Sequence, residues 1–245
     1  MKAPYDLHIH SCLSPCADDD MTPNNIVGMG TLCGLKLMAL TDHNTCRNCP
    51  PFLAACERYG IIGICGMELT TAEDIHVICL FPSLEAALSF DRLVAEHRMK
   101  LLNKPEIFGN QILCDHEDNP CGIEENLLIY ATDLTIEDAV YKAWEYGGVA
   151  YPAHIDREAN GIEAILGVLP TYMDFSAIEL NRAEKESFYR AKYPHTASLP
   201  YFICSDAHRL TDIREDNPST ILPDGLTDAE AARIFVERIR QRQTI

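Results

Sequence analysis

Short apolar runs alternate along the chain with stretches of helical periodicity. "YDLHI" (5–9), "LKLMALT" (35–41), "IIGICGMELTT" (61–71) and "IHVICLF" (75–81) read as strands, because each is short, aliphatic and bounded by turn formers. Between them "TPNNIVGMGTLCG" (22–34) predicts a helix, with Thr22 as cap, Pro23 in the first turn and Gly34 as the stop. "PPFLAACERYG" (50–60) predicts a second, ending in glycine, and "SLEAALSFDRLVAEHRMKLL" (83–102) a long amphipathic third. "TIEDAVYKAWEYGG" (135–148) carries Thr135 as cap with Glu137 and Asp138 in its first turn, and its Trp144 reads as core packing beside Val140. "VAYPAH" (149–154), "SAIEL" (176–180) and "YFICSDAH" (201–208) read as further strands. "TDAEAARIFVERIRQRQ" (227–243) closes the pattern as a helix capped by Thr227 or Asp228.

Residues 103–132 break this rhythm. They are acidic and turn-rich, and "DHEDNPCG" (115–122) predicts a hairpin turn between "GNQIL" and "NLLIY". Elsewhere the alternation of strand and helix predicts parallel pairing with right-handed crossovers. No linker-like stretch divides the chain. The expectation is a single α/β domain over residues 1–245, a barrel with a hairpin-like excursion near 103–132.

Candidate chemistry sits at the strand ends. His8 and His10 in "DLHIH" are two apart, so on a strand their side chains leave from one face. "TDHN" places Asp42 and His43 after an apolar run, "GMELTT" places Glu68, and "DIHVICLF" places His76. "PAH" adds His154, and "SDAH" adds Asp206 and His208. In a parallel barrel such positions converge on one rim. Imidazoles with carboxylates suit zinc, iron or manganese. The ligands outnumber what one tetrahedral ion needs, so two or three divalent ions are expected, with Glu68 as the bridge. Asp42, and also Asp6, could accept a hydrogen bond from a ligating imidazole and fix its tautomer.

The net charge of −17 argues against tight binding of a long nucleic acid, which favours a basic face. A small phosphorylated substrate stays compatible, because bound cations invert the local field. The 11 cysteines accompany no secretion signal and no membrane-length apolar run, which predicts a reducing, cytoplasmic setting. Cys33, Cys56, Cys65 and Cys79 read as small buried apolar residues. Cys12 with Cys16 and Cys46 with Cys49 could bring their sulfurs together around a structural zinc or an iron–sulfur cluster. The plainer reading leaves Cys12, Cys46 and Cys49 as loop residues.

The set "DLHIH", "TDHN", "ME", "PAH" and "SDAH", in this order, resembles the polymerase and histidinol phosphatase (PHP) superfamily over nearly the whole chain. The resemblance implies a distorted (β/α)7 barrel holding a trinuclear metal site for phosphoester hydrolysis. It implies His8, His10, Glu68 and Asp206 around one ion, and Glu68, His76 and His154 around a second. His43 and His208 would hold a third with one residue from the loop after His10. Relatives commonly carry His or Asp there, whereas this chain has Pro15 and Cys16, so Cys16 as a thiolate or Asp18 would complete the set.

The expected reaction is attack of a metal-activated hydroxide on the phosphorus of a small phosphomonoester or nucleotide-type substrate. Arg182 and Arg157, then Arg209, are candidates to contact the phosphate. His208 or Asp206 would protonate the leaving group, with Asp42 behind His43. Amide or lactone hydrolysis by the same metals is the alternative chemistry. A metal-holding regulatory module without turnover is the alternative of a different class.

Overall fold

The computed structural model describes residues 1–243. In chain order the elements are β1 (Lys2–Asp6), α1 (Pro23–Leu32), β2 (Leu37–Leu40), α2 (Cys49–Tyr59), β3 (Ile62–Thr70) and β4 (His76–Phe81). The helices α3 (Leu84–His97) and α4 (Pro105–Phe108) lead into β5 (Ile112–Cys114) and β6 (Pro120–Ile123). There follow α5 (Ile136–Glu145), β7 (Val149–Pro152), α6 (Ile162–Leu166), β8 (Ile178–Leu180) and α7 (Glu186–Lys192). The chain ends through β9 (Tyr201–Ile203), β10 (Ser219–Ile221) and α8 (Asp228–Arg240).

Six strands form one curled sheet in the order β10-β1-β2-β3-β4-β7, and β8 pairs in parallel with β9. That pair fills the gap between β7 and β1. On one side Ile155 N donates to Glu179 O at 3.0 Å; on the other His10 N donates to Ala207 O at 3.0 Å, beside an Ile9–Ala207 bridge. The result is a distorted α/β barrel, with β10 lying antiparallel outside it on β1.

The pairing is not parallel throughout. β4 runs antiparallel to both β3 and β7. The β3–β4 connection is a short turn with Asp74 at φ 65°, too short for a crossover helix, so the two strands fold as a hairpin. This inversion brings the first residue of β4, His76, to the rim where β3 ends.

Alternate residues of β2 enter two cores. Met38 and Leu40 pack outward with Phe52 and Phe90 beneath the helices, while Leu37 and Ala39 join Tyr151, Phe202 and Phe235 in a core closed by α8. Burying each such large side chain contributes roughly 1.5–3 kcal/mol. Capping boxes start α5 (Thr135 with Asp138) and α8 (Thr227 with Glu230), which settles Thr227 as the cap. α3 ends at His97 instead of continuing to 102, because Arg98 turns extended and bridges Thr132. In the excursion β5 pairs with β6, and "NLLIY" instead buries Leu127 and Leu128. Trp144 is 56% exposed with the Arg240 guanidinium over its ring, so it is not core. No helix among the described residues is long and apolar enough to cross a membrane.

Candidate metal centre

His8, His10, His43, Glu68, His76, His154 and Asp206 are all buried at one rim of the barrel, with His208 at its mouth. Glu68 stands at the centre. Its Oε1 lies 2.8 Å from His76 Nδ1 and 3.0 Å from His154 Nε2, and its Oε2 lies 3.1 Å from His43 Nδ1 and 3.3 Å from His10 Nε2. Asp206 Oδ1 lies 3.2 Å from His8 Nε2 and 3.3 Å from His10 Nε2. His154 and Asp206 both hold positive φ, 26° and 55°, the kind of backbone strain that concentrates at functional sites.

Potential ligand atoms gather into three groups: His8, His10, Glu68 and Asp206; His43, Glu68 and His76; and His10, His43 and His208. Within the third, His10 joins His43 and His208. Cys16 is exposed and enters none of these groups, and Asp18 turns outward to within 3.6 Å of Arg209. The thiol is the shielded part of this exposed residue: desolvation, with the nearby Glu68 and Asp206 carboxylates, pushes it up, which opposes a thiolate in the absence of a cation.

Two hydrogen-bond chains orient the first histidine pair. Ser14 Oγ donates to Asp42 Oδ1 at 2.7 Å, so its oxygen accepts from His10 Nδ1 at 3.0 Å. Ser11 donates to the same carboxylate through N and Oγ, both at 2.7 Å. Asp42 therefore reaches an imidazole only through Ser14. Asp6 reaches none: its Oδ1 accepts from the backbone N–H of His8 and Ser205. The partner of His8 Nδ1 is Glu179 Oε1, at 2.8 Å, a residue not anticipated from the sequence. Its signal was present in "AIEL", a glutamate inside an apolar strand that would not otherwise bury a charge.

Cations fit this arrangement. With both Nδ1 atoms committed as donors, His8 Nε2 and His10 Nε2 face each other at 3.1 Å between the carboxylates of Glu68 and Asp206. Burial opposes charge on both rings, but the surrounding carboxylates outweigh it. They hold His8 well above its usual range and His10 at about 9. Two added protons would set N–H donors against one another, whereas a shared cation satisfies both nitrogens. Among the described residues, Asp206 Oδ1 and His43 Nδ1 are buried with polar neighbours at contact distance but no well-directed hydrogen bond, as open ligand atoms would be. Burial and the neighbouring imidazoles hold His43 neutral, and burial with His10 pushes His208 down to about 4. For Glu68 and Asp206, burial opposes ionisation but the adjacent histidines prevail, so both stay ionised.

Beside Asp206 and His208 opens a cavity of about 560 Å³ that Arg157, Arg182 and Arg214 line. Arg157 donates to Asp206 Oδ2, and Arg214 to Asn181 O at 3.0 Å. The cysteines do not meet as a set of four. Cys12 Sγ lies 3.5 Å from Cys114 Sγ on the excursion, and Cys46 and Cys49 are buried against Gly66 O.

Residues 6–183 match the family model of the PHP domain. A 5'-3' exoribonuclease of Haemophilus influenzae is 30% identical over 106 residues, 40% of this chain and 38% of its own length. Endonuclease Q of Pyrococcus furiosus superposes over 97% of this chain and 56% of its own, with TM-score 0.64 at 19% identity. An amidohydrolase of Chromobacterium violaceum superposes over 98% and 97%, with TM-score 0.60 at 18% identity. The chain thus spans little more than half of endonuclease Q and less of the exoribonuclease; at such identities the solved structures establish the fold.

These matches overturn the expectation of a small phosphorylated partner and no long nucleic acid. The Haemophilus relative is named for RNA, and endonuclease Q has been solved on a 27-mer duplex with an abasic lesion. Net charge averages over the whole surface; beside the cluster Arg157, Arg182 and Arg214 share one cavity wall with Asp156, Asp206 and Asp212. With its family model matched over residues 6–183, the chain belongs to the PHP domain family and is a metal-dependent hydrolase.

Proposed function

We propose that this hydrolase cleaves phosphodiester bonds of a nucleic-acid strand, with His8, His10, His43, Glu68, His76, His154, Asp206 and His208 as ligands for two or three divalent ions. The observation that carries the reading is the arginine-lined cavity opening directly beside Asp206 and His208. Divalent ions held there would supply Lewis-acid charge and activate water. Zinc, manganese and iron all suit the donor set.

The chain's own residues do the remaining work. Arg182 and Arg157 bind and orient backbone phosphates, the fork of each guanidinium matching two oxygens. Arg157 also steadies Asp206 through Oδ2, the oxygen that His8 and His10 do not approach. Asp42, through Ser14, holds His10, as a positioning residue. His208 and Asp206 are reassigned from proton donors to ligands: His208 is held neutral and Asp206 ionised, so neither carries a proton to give near neutral pH.

The test incubates the purified protein with short end-labelled RNA and DNA oligonucleotides and added manganese or zinc. Metal-dependent shortening that disappears with chelator is expected. Intact oligonucleotides under every metal would overturn the reading.

A further inference from the structure

We propose that Glu179 is a positioning residue that sets two members of the cluster at once, fixing the tautomer of His8 and clamping the backbone of His154; this rests on reading the cluster as a metal centre. One oxygen does both. Glu179 Oε1 accepts from His8 Nδ1 at 2.8 Å and from His154 N at 3.1 Å. The first bond commits the His8 proton to Nδ1 and leaves Nε2 aimed at Glu68 and Asp206. The second bond holds His154 where its φ is +26°, a conformation that an L residue leaves unless its surroundings enforce it.

A purely structural role does not account for this residue. Glu179 is fully buried between Ile178 and Leu180 on β8, where an apolar side chain would pack without the desolvation cost of a carboxylate. Among the described residues its other oxygen, Oε2, makes no hydrogen bond. The carboxylate is thus kept for the two bonds of Oε1. The bond to His154 crosses the junction between β7 and β8, and the bond to His8 reaches the segment after β1, so one carboxylate ties together residues 146 positions apart. Orienting carboxylates of this kind raise imidazole basicity and fix the ring.

The test compares the wild type with Glu179→Leu and Glu179→Gln. Imidazole ¹⁵N shifts of His8 are read in metal-free protein at a pH raised until the His8 ring is neutral, with the resonance assigned by its loss in His8→Asn. Zinc affinity is read by calorimetry with zinc alone, and the fold by circular dichroism. Expected are a proton on Nδ1 of His8 in the wild type, its redistribution towards Nε2 in Glu179→Leu, and a zinc affinity about 10- to 100-fold weaker in that variant. Glu179→Gln keeps an acceptor oxygen and should retain the tautomer with an intermediate affinity. A wild-type His8 protonated on Nε2 would overturn the proposal even if Glu179→Leu fails to fold. So would a folded Glu179→Leu with wild-type tautomer or zinc affinity. The tautomer is read without metal or substrate, so a protein that cleaves no oligonucleotide would sink the proposed function and leave this inference standing.

Discussion

Glu68 Oε1 lies 3.0 Å from His154 Nε2, across 86 positions of sequence. The same carboxylate approaches His76, His43, His10 and His8, so with His154 it joins β3 to four other parts of the rim. Replacing it with glutamine keeps the size and removes the charge that the imidazoles surround. We expect Glu68→Gln to lose at least about 100-fold in oligonucleotide cleavage and to lose bound metal by elemental analysis. Wild-type metal content and rate in this variant would count against the central place of Glu68.

Asp6 gives a pH signature separate from catalysis. Burial outweighs its hydrogen bonds from Ser205 and His8 and pushes its carboxyl up to about 6. The folded chain therefore binds this proton more tightly than the unfolded chain does. The sign follows: this contribution to stability is greatest below pH 4, falls as pH rises to about 6, and is level above that. Asn at this position keeps an acceptor for the two backbone N–H groups and removes the buried charge. Urea unfolding of metal-free Asp6→Asn against wild type should show the decline removed, with a gain of at most about 3 kcal/mol above pH 6. Parallel pH curves for the two proteins would refute it.

Among the described residues, Arg182 lines the cavity without the carboxylate partner that Arg157 has. Arg182→Ala should raise KM for an oligonucleotide about 10-fold while changing kcat little, the pattern of a lost charge-assisted contact made equally before and during reaction. The effect should shrink at high salt. A change confined to kcat, or one indifferent to salt, would remove Arg182 from the phosphate track.

Stripping divalent ions should lower thermal stability as well as activity. A ligand at 1,000 times its dissociation constant stabilises a fold by about 4 kcal/mol, so chelator should depress Tm measurably and manganese or zinc should restore it. An unfolding transition indifferent to chelator would show that the cluster holds no cation of useful affinity.

Much of the fold was legible because its helices and longer strands carry their periodicity and caps locally. "TIEDAV" and "TDAEAA" announce capping boxes, and "DLHIH" and "SDAH" announce paired side chains on one face. What was illegible depends on partners distant in sequence. The inverted β4 follows from a short turn that reads like any other loop, and β10 is a three-residue strand defined only by its pairing with β1. Glu179 was passed over because its role lies in His8 and His154, far away along the chain. Cys16 stands at ligand spacing, but its loop closes through Ala17 N to Ser14 O and its thiol joins none of the three ligand groups.

The β8–β9 pair meets the main sheet through few backbone bonds, and Asp206 follows directly after β9 while His8 follows β1. During synthesis the earliest donors must therefore wait for the latest. A ribosome-bound fragment ending before residue 200 would present histidines without Asp206 or His208, and would hold cations less tightly than a chain extended past residue 208. Ring closure and acquisition of the ions thus become one event, because the last strand of the ring delivers the donors that complete the cluster.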